Sequence, residues 1–334
     1  MATKIKSIFL TATNMKMPVV GLGTWQNAND AQVEAAVDAA LAAGYRHIDT
    51  AFAYQNEKAI GRALKRWLDD GKIARDELFI VTKLPRIAMH EKFVEDYLRQ
   101  SLSALQLAYV DLYLIHNPVG LVHSTEAVLP RDKDGNLIID VKTDIVAIWK
   151  AMEKQVDSGR TKAIGVSNFN ISQLERILKI ARVKPATNQV ECHLYLQQKE
   201  LIAWGKAHGV TVTAYSPLGS PGTSESIRQE GRTVKSHNPL EEPAVIRIAK
   251  AHKKTPAQVL LRHLIQLGAG VIPKSNSPDR IRENFLVFDF ELSDEEMSEL
   301  NSLDRGENGR IFGVSEMLKG VDKHPEYPFP ILKK

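Results

Sequence analysis

One pattern recurs eight times along the 334 residues: a short, continuously apolar run followed by a stretch of helical periodicity. The runs fall at 19–24, 47–51, 78–84, 110–116, 163–168, 187–192, 211–217 and 269–274. Helical patterns occupy 30–43, 57–70, 91–106, 144–158, 171–181, 198–208, 243–253 and 278–286, with a last one at 293–303. Strands that are apolar throughout, rather than at every second residue, are covered on their faces, and a helix after each one is the crossover a parallel sheet needs. Eight such units close on themselves, so the expected fold is a single (β/α)8 barrel (TIM barrel) over residues 1–334. The competitor is a doubly wound open sheet. Its glycine-rich turn after the first strand needs a third glycine, and Gly21-Leu22-Gly23-Thr24-Trp25-Gln26 has two.

The flanking signals agree with that reading. Val33, Val37, Ala40 and Leu41 share one face of the first helical stretch, with Asp30 as its expected N-cap and Gly44 as its C-cap. Ahead of the first unit, residues 7–18 read as a β-hairpin broken at Ala12-Thr13-Asn14. Two connections, 117–143 and 218–242, are longer than the rest and follow strands, which puts them on the face where barrels carry their chemistry. The tail 304–334 holds Pro325, Pro328 and Pro330, so it is not regular helix and is expected to close over that same face.

Composition excludes several classes. With 43% hydrophobic and 25% charged residues the chain can bury a large core, and a net charge of +4 without a dense basic block argues against a nucleic-acid partner. Cys192 is the only cysteine, so neither a disulfide framework nor a cysteine metal cage is available within the chain. No run approaches the ~18 apolar residues of a membrane span and the N-terminus lacks a secretion signal, giving the expectation of a cytoplasmic protein with no membrane partner.

On a barrel, the strand ends bring ionisable groups together. Asp49 ends the second strand with Tyr54 just beyond it, Lys83 ends the third and His116 the fourth. Adjacent parallel strands lie ~4.8 Å apart, so these side chains can converge. Each has a bland reading alone: a hydrogen-bonded structural Asp or His, a solvated loop Lys, a half-buried Tyr. Together they suit proton transfer to a carbonyl oxygen. A tyrosine's pKa of ~10 is high for an acid, an adjacent Lys83 cation is expected to lower it, Asp49 would hold that lysine, and His116 would donate to the oxygen as charge develops. No second His or carboxylate stands at ligand spacing to His116 or His193, so no metal is expected.

Gly21-Leu22-Gly23-Thr24-Trp25, His47-Ile48-Asp49-Thr50-Ala51-Phe52-Ala53-Tyr54, Leu112-Tyr113-Leu114-Ile115-His116, Gly165-Val166-Ser167-Asn168-Phe169 and Ile272-Pro273-Lys274-Ser275 closely resemble the aldo-keto reductase family, in its order, from about residue 8 to 312. The resemblance implies a barrel that takes NADPH and a small carbonyl substrate, as a monomer, with Asp49, Tyr54, Lys83 and His116 as the catalytic tetrad and Tyr54 as proton donor. It assigns Ser167, Asn168 and Gln189 to the nicotinamide amide, Tyr215 to stacking on its ring, and Ser216, Pro217, Leu218 and Ser220 to the pyrophosphate. Gly23, Thr24, Trp25, Asp49, Ile272, Ser275, Asn276, Glu283 and Asn284 complete the cofactor positions, Asn284 near the adenine. The residues after the eighth strand support an anion site on their own. Ser277 and Pro278 read as N-cap and first residue of a helix, and Arg280 in its first turn opposes the helix dipole unless a phosphate sits between it and Lys274. The resemblance makes that phosphate the 2′-phosphate of NADPH.

Two positions depart from the family pattern. Asn117 follows the tetrad histidine where many members carry an aromatic residue, and Pro85 stands where aldose-reducing relatives often carry tryptophan. Trp25 is retained, so Trp25, Tyr54, His116 and Asn117 are the expected substrate-facing residues, in a pocket more polar than usual. Some family proteins serve as channel-associated or structural subunits, which leaves a non-enzymatic role as the alternative.

Overall fold

The computed structural model describes residues 7–10, 14–26, 29–222, 238–312 and 318–331. Residues 11–13 of the hairpin, 223–237 of the second long connection and 313–317 and 332–334 of the tail lie outside the described residues. The hairpin pairs β1 (Ser7–Leu10) with β2 (Met15–Pro18) antiparallel. Eight parallel strands follow: β3 (Leu22–Gly23), β4 (His47–Asp49), β5 (Phe79–Leu84), β6 (Val110–Ile115), β7 (Thr161–Ser167), β8 (Thr187–Glu191), β9 (Thr211–Tyr215) and β10 (Ala269–Val271). They neighbour one another in sequence order, and the parallel bridge Val20↔Val271 joins last to first, with Gly21 N–H donating to Val271 O at 2.9 Å. The barrel is therefore closed, and the regular strands are shorter than the apolar runs that contain them, except β7, which begins two residues ahead of its run at Thr161.

Side chains alternate across each strand, and this period of two builds the site. Phe79 and Val81 of β5, Leu112 and Leu114 of β6, and Ala163 of β7 form a buried cluster on which Leu10 and Met17 of the hairpin pack, so the hairpin stops the N-terminal end of the barrel. His47 lies above the hairpin, its Nδ1 3.0 Å from Pro18 O; a Cβ on Gly21 would meet this ring at 2.7 Å, so the glycine is required there. Further along the same inward rows stand Asp49, Lys83 and His116, two residues past His47, Val81 and Leu114, and Ser167, four past Ala163. The intervening residues, Ile80, Tyr113, Ile115, Ile164 and Val166 among them, face outward into the core shared with the helices.

Among the described residues the helices are α1 (Asp30–Ala43), α2 (Glu57–Asp69), α3 (Val94–Leu105), α4 (Ile145–Asp157), α5 (Ile171–Leu178), α6 (Lys199–His208), α7 (Pro243–His252), α8 (Pro256–Gln266), α9 (Pro278–Phe285) and α10 (Asp294–Ser302). Two expectations are corrected. Asn29, not Asp30, caps α1: its side chain accepts from the N–H groups of Ala31 and Gln32, and Asp30 is the first helical residue. Gly44 closes that helix in the left-handed region at φ 102°, as expected. Among the described residues the connection from β9 to β10 holds helices α7 and α8, where the sequence reading places one at 243–253. Lys253 turns left-handed at φ 54°, and Thr255 then opens α8 with a capping box to Gln258 and Pro256 in the first turn. α8 buries Val259, Leu260, Leu261 and Leu264, so it is the helix of the seventh unit, while α7 packs with α10 in a satellite cluster.

Candidate active site

A cavity of about 790 Å³ opens at the C-terminal ends of the strands. At its floor Asp49, Tyr54 and His116 are part of the lining, with Lys83 directly behind. Lys83 has no exposed surface; its Nζ donates to Asp49 Oδ1 at 2.5 Å and to Thr50 O at 2.9 Å, and stands 3.4 Å from Tyr54 Oη. Asp49 is held from its other side by Gln189, whose Nε2 donates to Oδ2 at 2.7 Å. Tyr54 is delivered by a single 3-10 turn, Phe52–Tyr54, which Gln55 ends in the left-handed region at φ 56°. Asn56 pins the turn, accepting from Thr50 Oγ1 at 3.0 Å and donating to Thr24 O at 2.8 Å. The rings of Tyr54 and His116 meet edge to face, 5.5 Å apart. All four groups proposed from sequence are thus brought to one point.

The charges differ from the expectation in one respect. Burial pushes the Tyr54 phenol well above its ordinary pKa, and the Asp49 carboxylate behind it adds to the rise. The Lys83 ammonium 3.4 Å from the phenol, itself paired to Asp49, does not outweigh burial. Tyr54 is therefore a fully protonated hydroxyl at neutral pH. Burial lowers Lys83 from its usual value, opposed by Asp49. His116 is held well below an ordinary imidazole by burial and by the cations Lys83 and Arg86, so it is neutral.

Above the floor a shelf of polar groups is interlocked. Ser167 Oγ donates to Gln189 O at 2.7 Å, Asn168 Nδ2 donates to His116 O at 2.9 Å, and Tyr215 Oη donates to Asn168 Oδ1 at 2.8 Å. Asn168 takes φ 63°, a left-handed conformation that asparagine tolerates better than most residues. Beyond Tyr215, Ser216 and Ser220 are also left-handed, at φ 51° and 44°, with Ser220 Oγ donating to Ser216 Oγ at 2.8 Å. Such backbone clusters at ligand-holding loops.

The far end of the cavity is cationic. Ser277 caps α9 through Arg280 N–H, and Pro278 is its first residue, as read from sequence. Ser275 Oγ accepts from Ser277 N–H at 3.1 Å and Asn276 donates to Gln32 Oε1 at 3.4 Å. Lys274 and Arg280 line this end without an ion pair among the described residues, and burial, followed by the charge of Arg280, lowers Lys274. Glu283 and Asn284 also face the cavity, as do Gly23, Thr24, Pro217, Leu218 and Ile272. Two cations without an ion pair among the described residues, beside a helix N-terminus, fit a phosphate.

The near end is walled by Trp25, whose ring meets Phe312 of the tail edge to face at 5.3 Å. Phe312, Leu318 and Phe329 show that the tail covers the catalytic face as expected, and Val128 and Leu129 bring in the first long connection. Asn117 lines the cavity but is only 3% exposed, and its Oδ1 accepts from Val119 N–H at 3.0 Å, so it also serves its own turn. Sequence reasoning missed Arg86, Phe312 and Phe329. Arg86 could have been found, since it lies three residues past Lys83 on a catalytic-face loop. The aromatics could not, because nothing in a proline-rich tail says which residue turns inward. Cys192 is buried away from the cavity with its thiol pushed up by burial, in keeping with a packing role. Among the described residues there is no group of three His, Cys, Asp or Glu able to hold a metal ion, and no helix is long and apolar enough to cross a membrane.

Comparison with known proteins gives a consistent result. A family model described as "Aldo/keto reductase family" matches residues 19–305. The chain is 47% identical over 325 residues to "Aldo-keto reductase family 1 member A1-A" of Danio rerio, covering 95% of this chain and 97% of that protein. It is 44% identical over 327 residues to "Aldo-keto reductase family 1 member A1" of Homo sapiens, covering 97% and 98% respectively. The solved "Structure of the Aldose Reductase from Schistosoma japonicum" superposes with a TM-score of 0.84 at 43% identity, over 95% of this chain and 96% of that one. On its sequence, its closed barrel and the groups gathered at its strand ends, the chain belongs to the aldo/keto reductase family.

Proposed function

We propose that this enzyme reduces aldehydes or ketones to alcohols with NADPH, using Tyr54 as the proton donor and Asp49, Lys83 and His116 to position and support it. One observation carries the reading: the chain Gln189–Asp49–Lys83–Tyr54, with neutral His116 beside the phenol, sits at the floor of a cavity whose other end holds Lys274 and Arg280, neither in an ion pair among the described residues.

Bound NADPH supplies the hydride. The residues of this chain then handle the oxygen. A carbonyl oxygen against Tyr54 Oη and His116 becomes an alkoxide as its carbon is reduced, and an alkoxide is a stronger base than a phenolate. Proton transfer from Tyr54 is therefore downhill even though burial raises its pKa, and the raised value keeps the donor loaded at every physiological pH. The phenolate left behind faces the Lys83 ammonium 3.4 Å away, which opposes its charge while Asp49, held by Gln189, keeps the lysine in place. His116, neutral and buried, adds a hydrogen bond to the developing charge at no cost in competing cations.

Lys274, Arg280 and the N-terminus of α9 would hold the 2′-phosphate, Asn284 the adenine, Ser216 through Ser220 the pyrophosphate, and Ser167, Asn168, Gln189 and Tyr215 the nicotinamide. Gly23, Thr24, Trp25, Ile272, Ser275, Asn276 and Glu283 complete that cleft. We read the protein as a cytoplasmic monomer acting as one barrel domain. The direct test is loss of NADPH absorbance with a panel of aldehydes and ketones; turnover of several is the expected result, and none at all would remove the reading.

A further inference from the structure

Two separate segments wall the substrate end of the cavity, and one histidine joins them. The first long connection contributes Val128 and Leu129, and the tail contributes Leu318 and Phe329. Between those two tail residues lies a 3-10 turn, Val321–Lys323, which Gly320 opens at φ 86° and His324 closes. His324 is 3% exposed and uses both ring nitrogens: Nε2 lies 2.8 Å from Asp140 O of the first long connection, and Nδ1 lies 3.0 Å from Glu326 N–H. A backbone N–H only donates, so Nδ1 is the bare nitrogen and Nε2 carries the proton that Asp140 O receives. Both contacts therefore require the neutral ring, in one tautomer.

The neighbouring contacts show what this one adds. Leu137 N–H donates to Lys319 O at 2.9 Å, upstream of the turn. Downstream, the tail is anchored to α5: Arg176 binds the Glu326 carboxylate at 2.8 Å, and Asn170 Nδ2 donates to Pro328 O at 3.2 Å. His324 ties the stretch that carries Phe329 across to the first long connection. The charged groups facing its ring are the Glu326 and Asp140 carboxylates and the Arg86 guanidinium. Glu326 is engaged with Arg176, and Asp140 Oδ1 accepts from Lys142 N–H at 3.0 Å. Burial holds His324 below an ordinary imidazole, Arg86 adds to the fall, and the Asp140 carbonyl and the two carboxylates oppose it. The ring is neutral at neutral pH, with its proton-accepting nitrogen already facing a donor.

We propose that His324 is a positioning residue for carbonyl reduction: neutral, it pins the tail to the first long connection and sets the wall of the substrate end; protonated at Nδ1, it meets the Glu326 N–H donor to donor and releases that wall. The effect on turnover rests on the carbonyl-reductase reading, whereas the pinning is independent of it. The sign follows from linkage. The pinned form has the lowered pKa, so pinning is full above about pH 6.5 and weakens as pH falls below it. A ring that recovers its ordinary pKa when the two segments part is protonated about ten to one at pH 5.5, so parting is favoured there by up to about tenfold over pH 7.5.

The test measures amide hydrogen exchange over residues 318–331 of the full chain at pH 5.5 and 7.5, corrected for intrinsic exchange and referenced to β6 so that global loosening in acid cancels. Wild-type protection there should fall by about three- to tenfold in acid, a result that needs no variant to fold. Two variants separate the two bonds. His324→Asn keeps an acceptor for the N–H two residues on but is too short to reach Asp140, and His324→Gln reaches Asp140 as a donor. The Asn variant should show low protection at both pH values, the Gln variant should stay nearer the wild type at pH 7.5, and neither should respond to pH. A ring that merely closed its own turn would instead be rescued by Asn and not by Gln. In turnover with NADPH at pH 7.5, His324→Asn should raise KM for a carbonyl substrate about two- to tenfold, the value of one neutral hydrogen bond, with a smaller change in kcat, and His324→Gln should recover most of it. Wild-type protection that ignores pH, a pH response that persists in both variants, rescue by Asn alone, or an unchanged KM in the Asn variant would each overturn the assignment and leave the reductase reading standing. Failure of the wild type to oxidise NADPH with any carbonyl would overturn that reading and the effect on turnover, and the exchange result would still decide the pinning.

Discussion

Glu191, fully buried at the end of β8, accepts hydrogen bonds from the backbone N–H of Ile311 at 2.6 Å and of Phe312 at 2.9 Å, tying the tail to the barrel. Because Phe312 packs on Trp25 and lies 6.0 Å from Tyr215, this pair of hydrogen bonds sets one wall of the substrate end. Glu191→Ala leaves both N–H groups unpaired and strips His193 Nε2, 3.0 Å away, of its partner. The expected cost is about 3 kcal/mol of stability, measured by denaturant unfolding, with a raised KM and a smaller change in kcat. Unchanged stability and KM would mean that the tail is held elsewhere.

Acid should destabilise the fold earlier than its carboxylates alone would require. His47, His116 and His263 are all held below the ordinary imidazole value of 6.5, each chiefly by burial, His263 to about 4. The sign follows from linkage. A histidine lowered in the folded state binds its proton more readily when unfolded, so stability is full above about pH 6.5 and is lost as pH falls below it. The contribution of His263 stops falling near pH 4. The melting temperature should therefore drop between pH 7 and 5, and a flat profile over that window would contradict the neutral assignment. For the same reason the pH profile of kcat/KM should show no inflection near 6.5 from His116.

Arg280→Met removes one of the two cations that line the cavity beside the N-terminus of α9. NADPH should bind about ten- to a hundredfold more weakly, whereas NADH, which lacks the 2′-phosphate, should change little. Dissociation constants from quenching of tryptophan fluorescence separate the two cofactors; equal losses for both would remove the phosphate assignment.

What was legible in the sequence, and what was not, follows from the range of the interactions involved. The eight strands announced themselves because burial imposes an apolar composition on each of them locally, and Ser277-Pro278 marked the start of α9 because capping is settled within four residues. The helix Pro256–Gln266 was equally local, with Thr255 and Gln258 as its capping box, and was missed only because the pattern at 243–253 already supplied a helix for that unit. Asp30 was read as a cap because it is acidic and first, while Asn29 beside it had the geometry. The upward shift of Tyr54 was beyond local reading. It depends on how dry the pocket is and on the Asp49 carboxylate behind the phenol, and these are properties of the assembled floor. Arg86 was visible as a residue and unreadable as part of the cavity wall, since a charged loop residue is ordinarily solvated and only the folded barrel shows that this one lines the cavity, with an enclosed nitrogen that has no hydrogen-bond partner among the described residues.

The central claim is that Tyr54 delivers the proton, and it is tested by Tyr54→Phe in the presence of NADPH and a good carbonyl substrate. The side chain keeps its ring contact with His116 and loses only the hydroxyl. Reduction should fall by about a hundred- to ten-thousandfold, the range for removal of a general acid, with NADPH affinity unchanged. Turnover close to that of the wild type, with the cofactor still bound, would contradict the assignment.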